Sequence, residues 1–535
     1  MDTKRFIVFV VLSFTILMFW GQWQSSRAPQ VTQAKTESSS SNKPAQAIPT
    51  SFNLVKDKRI HVSTDLMSAE IDLAGGDLRS VELLKHKSAE NIQDNLVLLS
   101  DSDSSRVYIS QSGLIGEALP NHKTIYQADS TEYQLNPDQN ELKVVLTYQN
   151  EVVKVAKTYT FKRGDYAVNV DYQVSNISDK PLNPWVYFQI LHDNQSDQGA
   201  KMMPTFTGGA YYNADANYKK VSFKDMAKAD LNLSSNDGWV GLVQHYFVSA
   251  WIPQQVTKQE FYTSKISDSI YAIGTKYALG DIAPGASKQA SAKFYSGPQL
   301  HDELAKTAPG LEYTVDYGWL TFIASPLFKL LSLINDFAAN WGVSIIILTL
   351  IIKTLFYPLS AAGYRNMAQM RELAPRLQSM KEKYGDDKLK MQQAMMELYK
   401  TEKINPFGGC LPILVQIPVF ISLYWMLLGS VEMRHAPFML WIQDLSAPDP
   451  YYVLPILMAI SMFVQTKLNP KPTDPMQAKM MLFMPLIFSV FFFFFPAGLV
   501  LYWLVNNILS IVQQAQINRS IHAMALAKKK GNVNS

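Results

Sequence analysis

The 535-residue chain has very little cysteine and no large excess of charge of either sign. Its single cysteine, Cys410, excludes an intramolecular disulfide framework. The formal net charge is only +4, so we expect no basic surface for nucleic acid. The sequence also lacks the phosphate-binding pattern G-x-x-x-x-G-K-[ST] and the zinc-binding pattern H-E-x-x-H. We therefore expect no metal and no cofactor.

Hydrophobic residues are distributed unevenly along the chain. Residues 51–312 have the composition of a soluble domain, and most of the long apolar runs follow them. Long apolar runs predict membrane spans, although the run 480–495 is short for a bilayer of about 30 Å, which indicates local thinning or tilt of its neighbours. The predicted spans are 6–23, 342–360, 409–429, 451–467, 480–495 and 498–517. Segment 363–405 contains nine lysines and arginines, whereas 430–450 contains only Arg434. Because cytoplasmic loops are enriched in these residues, both termini are predicted to be cytoplasmic.

This topology divides the chain into six segments of a multi-domain membrane protein. The segments are an N-terminal anchor helix (1–23), a flexible linker (24–50), a β-domain outside the cytoplasm (51–312), an amphipathic helix on the outer membrane surface (313–340), a helical transmembrane core (341–520) with a cytoplasmic hairpin (363–405), and a basic cytoplasmic tail (521–535). A cleaved signal peptide is the alternative for the first segment.

The β-domain is predicted from apolar and polar residues that alternate around two turns. EVVKVAKTYTFKRGDYAVNVDYQVSN alternates on both sides of Gly164, and SAEIDLAGGDLRSVELL does so around Gly75 and Gly76. Several such units predict a large all-β sandwich. The first units resemble the super-sandwich of aldose epimerases and related sugar-binding domains. No set of residues in this domain has the pattern of a catalytic site, so we interpret it as a scaffold.

Lys353 stands inside the apolar run GVSIIILTLIIKTLFYPL, which extends from Gly342 to Leu359. A charge at the bilayer centre costs about 2.5–3.5 kcal/mol on insertion scales, so such residues usually face a partner or a water-filled cavity. Lys353 also lies roughly 10 Å from the predicted cytoplasmic end of its span, within reach of the headgroups. The residue pattern leaves both interpretations open.

Polar residues recur on one face of several predicted spans. The second span carries Thr349, Lys353, Tyr357 and Ser360, the third Gln416 and Ser422, the fourth Ser461 and Gln465, and the last Tyr502, Asn506, Ser510 and Gln513. One such stripe would serve only to hydrogen-bond neighbouring helices. Stripes in four of the five C-terminal spans favour a hydrated cavity.

Segment 363–405 has the pattern of a helical hairpin. Apolar residues at steps of three and four indicate its first helix: Met370, Leu373, Leu377, Met380 and Tyr384. Gly385 fits a helix C-cap, and Asp386 or Asp387 fits the N-cap of a second helix that carries Met391, Met395 and Leu398. Methionines at this spacing usually pack in a core. Because two helices have little core, an adaptable binding face is equally consistent.

Four longer stretches resemble the YidC/Oxa/Alb family of membrane protein insertases, in its Gram-negative form. They are YPLSAAGYRNMAQMRELAPRLQSMKEKYGDDK, MMELYKTEKINPFGGCLPILVQIPVFISLYWML, WIQDLSAPDPYYVLPILM and DPMQAKMMLFMPLIFSVFFFFFPAGLVLYWLVNN. The resemblance is close over about 315–520. It implies five core helices around a groove that is open to the cytoplasm and to lipid, with one positive charge and a hairpin that receives substrates.

Residue by residue, the resemblance places Lys353 at the groove charge, and Thr349 and Trp503 at positions linked to substrate contact. The Gram-negative pattern has arginine where this chain has Lys353. A poorly hydrated lysine can lose its proton, whereas arginine stays ionised. The groove residues predicted from the stripes and the resemblance together are Lys353, Thr349, Tyr357, Gln416, Tyr502, Trp503, Asn506 and Ser510.

The implied function is the insertion of nascent membrane proteins into the bacterial inner membrane, without enzymatic chemistry. The implied partners are nascent chains, lipid, the ribosome and the Sec translocon. A secondary transporter would also place polar groups at mid-membrane, but it usually shows repeated halves, which this sequence lacks. A membrane-tethered sugar-binding protein is the other alternative, and it would depend on the β-domain.

Overall fold

The computed structural model describes most of the chain from residue 54 onward. The described residues are 54–89, 91–101, 106–195, 205–254, 258–385, 387–402, 411–468, 479, 483, 487 and 489–533. The predicted anchor and linker lie outside these residues, as do Asp386, Cys410 and most of the predicted span 480–495.

Two β-sheets form the domain that the sequence predicts over 51–312. The strands of the first sheet are β1 (Arg59–Ser63), β2 (Met67–Asp72), β3 (Asp77–Lys87), β4 (Asn95–Leu99), β5 (Tyr108–Ile115), β7 (Glu132–Gln134), β11 (Trp185–Asp193), β14 (Asn232–Ser235), β17 (Gln259–Lys265) and β18 (Ile270–Ala278). Those of the second sheet are β6 (Gln127–Ala128), β8 (Glu141–Gln149), β9 (Val153–Lys162), β10 (Ala167–Asn176), β12 (Gly208–Tyr212), β13 (Lys219–Val221), β15 (Trp239–Val243), β16 (Phe247–Pro253) and β19 (Ser287–Pro298).

The order of the strands gives an extended two-layer sandwich. The first sheet runs β14-β17-β18-β11-β5-β3-β2-β1-β7, with β4 paired to β3, and the second runs β13-β12-β15-β16-β19-β10-β9-β8-β6. The pairs are antiparallel except β1 with β7, which run parallel. Buried side chains of both sheets, such as Phe188 of β11 and Trp251 of β16, belong to one hydrophobic cluster. The predicted β-sandwich is confirmed.

Both predicted hairpins are present, and their alternation corresponds to burial. On β10, Val168, Val170, Tyr172 and Val174 are buried, and the residues between them are at least partly exposed. Strands β9 and β10 pair across a turn at Gly164, whose φ is +69°. Strands β2 and β3 pair across Gly75 and Gly76, whose φ values are +80° and +58°. Side chains rarely adopt these conformations, which explains the glycines.

A network of buried charges lies beneath the Gly75-Gly76 turn. The Lys157 ammonium donates to the carbonyl oxygens of Gly75 (3.1 Å) and Gly76 (2.8 Å). Asp77 accepts from Arg79 at 3.2 Å. Burial lowers the pKa of Lys157 to about 7 and raises the pKa of Asp77 to about 6. Because all three side chains are sealed from solvent, we interpret the network as structural.

Helices dominate the described residues after the β-domain. Two short helices belong to the β-domain. Helix α1 (Phe223–Lys228) lies between β13 and β14, and α2 (His301–Thr307) follows β19. The longer helices that follow are α3 (Thr321–Ala338), α4 (Trp341–Leu355), α5 (Tyr357–Tyr384), α6 (Lys388–Thr401), α7 (Leu411–Gly429), α8 (Val453–Leu468) and α9 (Ala497–Val533). Predicted spans 409–429 and 451–467 coincide with α7 and α8. Helix α9 begins with predicted span 498–517 and continues into the predicted basic tail.

Helix α3 has the two faces expected of the predicted amphipathic helix. Ala324, Phe328 and Leu331 are buried, whereas Phe322 and Phe337 are exposed. The stretch Gly318–Ala338 is also long and apolar enough to cross a membrane. Its position on the outer membrane surface therefore stays a prediction, which rests on the positive-inside rule.

The predicted span 342–360 is not one straight helix. It consists of α4 and the start of α5, and the chain bends by 65° between them at Phe356. Pro358 lies in the first turn of α5, where its missing N–H leaves no helical hydrogen bond unmade. Tyr357 and Ser360 therefore belong to a different helix from Lys353, and the prediction of one straight helix through all three residues was wrong.

The hairpin predicted for segment 363–405 consists of α5 and α6. Its first helix begins at Tyr357, six residues before the predicted boundary. Gly385 occupies the C-cap of α5, and the Asp387 side chain caps α6 by accepting from the Lys390 N–H at 3.1 Å. An ion pair of 2.5 Å joins Arg376 to Glu402. The predicted methionine and leucine positions are partly buried: Met370, Leu377, Met380 and Met395.

The β-domain contacts the end of α7 and the segment that connects α7 to α8. His245 donates its Nε2 hydrogen to the carbonyl oxygen of Leu428, at 2.9 Å. The guanidinium of Arg434 lies 5.6 Å from the ring centroid of Phe247, and the His86 ring lies 5.6 Å from the same ring. Burial and the nearby Arg434 lower the pKa of His86 to about 4, and burial lowers that of His245 to about 4.

Candidate functional site

A cavity of about 320 Å³ lies among the helices around Lys353. It is formed by side chains of α4, α5, α7, α8 and α9. The lining combines polar and apolar side chains: Lys353, Ser360, Gly363, Tyr364, Met367, Gln416, Ile417, Phe420, Gln465, Tyr502, Trp503, Asn506, Asn507 and Ser510.

The Lys353 side chain is directed toward α9. It is only 6% exposed, and its Nζ donates to the Ser510 hydroxyl oxygen at 2.8 Å. The Ser510 hydroxyl in turn donates to the carbonyl oxygen of Asn506 at 2.8 Å. Within the described residues, no carboxylate pairs with this ammonium group. A positive charge that is held in place but not neutralised can attract an acidic ligand.

Polar side chains of α9 also reach the neighbouring helices. The Gln416 amide on α7 donates to the side-chain oxygen of Asn506 at 2.9 Å. On the side facing α8, the Asn507 amide donates to the Ser461 hydroxyl at 3.3 Å. The polar stripes therefore have both predicted roles. They form hydrogen bonds between neighbouring helices, and they line a cavity.

An aromatic wall lies beside the polar groups. The Phe420 and Trp503 rings meet edge to face, with centroids 4.7 Å apart, and Phe492 packs 5.0 Å from Trp503 on its other side. The buried indole N–H of Trp503 has no hydrogen-bond partner among the described residues. The cavity thus places an ammonium group next to apolar surface, a combination suited to an amphipathic segment.

Six of the eight predicted groove residues line this cavity. They are Lys353, Gln416, Tyr502, Trp503, Asn506 and Ser510. Thr349 does not line it, because its side chain is 1% exposed and its hydroxyl donates to the Ile345 carbonyl oxygen of its own helix at 2.6 Å. Tyr357 also lies outside the lining, beyond the bend at Phe356.

Of the α5 residues in the lining, Ser360 was predicted as part of the polar stripe of the second span, whereas Tyr364 and Met367 were not predicted. Ser360, Tyr364 and Met367 follow one face of α5 at i, i+4 and i+7 and line the cavity. The residue pattern predicted the end of a straight span at 360 and the start of the hairpin at 363. Pro358 was the signal that could have shown a new helix beginning here.

No group of three or more metal-binding side chains occurs among the residues that the structure describes. The chemistry that the cavity offers is therefore that of hydrogen bonds, charge and apolar contact.

Comparison with protein families gives two matches that together cover most of the chain. Residues 59–330 match the family described as the YidC periplasmic domain, and residues 333–524 match the family described as 60Kd inner membrane protein. The boundary between them falls in α3, at the junction between the β-domain and the helical region.

Curated proteins are similar to the chain over its full length. The membrane protein insertase YidC of Methylobacillus flagellatus is 60% identical and aligns with 99% of this chain and 100% of its own length. The protein of the same name from Nitrosospira multiformis is 46% identical, with 99% of each chain covered.

Solved structures give weaker superpositions. A crystal structure of active YidC insertase with its first transmembrane domain resolved has a TM-score of 0.39 at 19% identity, covering 86% of this chain and 92% of that one. A galactose mutarotase-like protein from Lactobacillus casei has a TM-score of 0.31 at 11% identity, covering 45% of this chain and 100% of its own. Scores this low identify no activity.

Proposed function

The chain belongs to the YidC family of membrane protein insertases, and we propose that it receives nascent membrane proteins in the cavity around Lys353. Family membership makes it an inner-membrane insertase with a periplasmic domain, and not an enzyme. The finer points that follow concern the cavity, the topology and the partners.

The observation that carries this proposal is the uncompensated ammonium group of Lys353 in a mixed polar and aromatic cavity. The polar leading segment of a nascent chain loses hydration when it enters the membrane region. Lys353, Gln416 and Asn506 would replace part of that hydration with hydrogen bonds. The wall of Phe420 and Trp503 would contact the first apolar residues of the same segment.

Release follows from the relative size of two free energies. A carboxylate about 4 Å from Lys353 gains about 4 kcal/mol at an effective dielectric constant of about 20. Each leucine-sized side chain that leaves water gains about 1.5–3 kcal/mol, so three or more outweigh the ionic contact. The apolar segment of the substrate therefore moves into lipid, and the leading segment leaves Lys353 for the far side of the membrane.

The topology we propose is the predicted one, with α4, α7, α8 and α9 in four of the five core spans. The remaining core span and the N-terminal anchor lie largely or wholly outside the described residues. The hairpin of α5 and α6 would face the cytoplasm and make the first contact with nascent chains. We place the ribosome and the Sec translocon among the partners.

Photo-crosslinking during translation tests the cavity. A benzoylphenylalanine at Trp503 or at Gln416 should form adducts with a stalled single-span nascent protein, because both positions line the cavity. The same probe at Tyr357 is the matched control, since that side chain is 38% exposed but lies outside the lining. Adducts that are absent at both cavity positions, or equally frequent at Tyr357, would exclude the cavity as the receiving site.

A further inference from the structure

The segment between α7 and α8 presents uncharged side chains to the exterior at two places. Met439 and Leu440 are 53% and 74% exposed, and Tyr451 and Tyr452 are 68% and 47% exposed. We call these four residues the outer patch. Its second part, Tyr451 and Tyr452, immediately precedes α8, which begins at Val453. Exposed apolar groups at such a place need an environment that favours them.

The backbone holds the outer patch in strained conformations. Leu440 and Tyr452 have φ values of +55° and +57°, in the left-handed region that bulky residues rarely occupy. Such a conformation is unfavourable for a residue with a side chain, and it persists only where surrounding contacts determine it. Both strained residues, Leu440 and Tyr452, have exposed side chains. The strained backbone therefore does not serve to bury these side chains in the core.

One buried carboxylate fixes both parts of the outer patch to the start of α8. Asp449 is 1% exposed, and its Oδ1 accepts from the Trp441 indole N–H and from the Tyr451 N–H, both at 3.0 Å. Its Oδ2 accepts from the Leu454 N–H at 2.7 Å. The Trp441 and Tyr451 rings then pack 6.3 Å apart. The outer patch is thus a built surface and not a loose loop.

The neighbouring helix indicates what covers this surface. Helix α8 has 16 residues and is about 24 Å long, less than the bilayer core of about 30 Å. Its exposed side chains, such as Ile456 and Ile460, are apolar and suited to lipid, except for Lys467 in the last turn. The outer patch extends that apolar surface beyond the N-terminal end of the helix, and tyrosines are enriched at the headgroup level of membranes.

We propose that the outer patch inserts into the periplasmic-side interface of the phospholipid bilayer and completes the apolar height of α8. Three of the ionisable groups in the same segment are directed to protein partners. Arg434 contacts Phe247 of the β-domain, and His435 pairs with Asp444 at 3.2 Å. This inference rests on the proposed topology, in which α8 crosses the membrane with its N-terminal end on the periplasmic side.

Spin labels on single cysteines test the inference in the full-length protein reconstituted in phospholipid vesicles. Cys410→Ser provides the background, since Cys410 is the only native cysteine. Labels are placed at Leu440→Cys in the outer patch, at Ile460→Cys on α8 and at Glu141→Cys on the exposed surface of β8. The measurement is the accessibility of each label to oxygen, which concentrates in lipid, and to a water-soluble nickel complex.

We expect the Leu440 label to show higher oxygen and lower nickel accessibility than the Glu141 label, and the Ile460 label to show a larger shift in the same direction. A Leu440 label as accessible to nickel as Glu141, beside a lipid-exposed Ile460 label, would overturn the inference and leave the topology intact. Shielding from both reagents would also overturn it, because it would mean that protein covers the outer patch. An aqueous Ile460 label would contradict the proposed topology itself. Tyr451→Cys repeats the measurement if the Leu440 variant does not fold.

Discussion

Replacing Lys353 with methionine removes the charge of the cavity and keeps most of the side-chain volume. The structure gives the expected magnitude, because Lys353 makes one hydrogen bond, to Ser510, and has no carboxylate partner among the described residues. A substrate carboxylate about 4 Å away would lose about 4 kcal/mol at an effective dielectric of about 20, an upper limit of roughly a thousandfold in rate. Partial hydration reduces this, so we expect at least a tenfold slower insertion of a substrate with an acidic leading segment.

The assay is protease protection of a single-span protein inserted into vesicles that contain the purified insertase. The substrate is used with its acidic leading segment and with each acidic residue replaced by its amide. Rates for the two insertases and the two substrates form a double-mutant cycle, in which the coupling energy isolates the contact between charges. The native insertase should prefer the acidic substrate, and Lys353→Met should remove that preference.

Two further substitutions separate charge from shape. Lys353→Arg keeps the charge and should retain most of the activity, whereas Lys353→Glu should slow the acidic substrate more than methionine does, because repulsion replaces attraction. If Lys353→Met slowed the acidic and the amidated substrates equally, the coupling would be zero. The residue would then stabilise the helices without attracting the leading segment, and our reasoning about the cavity would be refuted.

Two other predictions concern stability. Gly342→Ala should lower the thermal midpoint of the purified protein, because the added Cβ would collide with the Phe438 ring. Overpacking of this kind costs about 1–3 kcal/mol. An unchanged midpoint would contradict this prediction. The thermal midpoint should also fall between pH 6.5 and pH 4. The native pKa values of His86 and His245, about 4, lie below the ordinary 6.5, so their contribution is complete above pH 6.5 and is lost as the pH falls through 4. A His86→Gln, His245→Gln variant should show a shallower fall, and an identical slope would count against the assignment.

Local patterns explain why the β-hairpins could be predicted from the sequence. Alternation along β10 reports directly which side chains face the core, and the glycines at 75, 76 and 164 mark turns with positive φ. The order of the strands within the sheets depends on pairings between distant residues. For example, β11 pairs with β5 across the region that separates them, and no residue pattern in either strand specifies that partner.

In the helical region, by contrast, a local feature of the chain could not be predicted. The hydropathy of 342–360 is continuous, so it predicts one span and cannot report a 65° bend at Phe356. The error moved Tyr357 into the predicted groove and left Tyr364 out of it. Polar stripes on α9 were predicted well, because that helix is straight enough for helical periodicity to place Tyr502, Asn506 and Ser510 on one face.

The contacts of Lys353 suggest why one hydrogen bond is enough at this position. An ammonium group has three N–H donors, and Ser510 accepts one of them, which leaves two that can bind water or a substrate. A carboxylate of the protein at the same distance would anchor the side chain more firmly, but it would also neutralise the charge that we propose attracts an acidic segment. The Ser510 hydroxyl orients the ammonium group without neutralising it, because the hydroxyl passes its own hydrogen to the Asn506 carbonyl oxygen. Orientation of the charge and its availability to a substrate are therefore compatible here, as reversible binding requires.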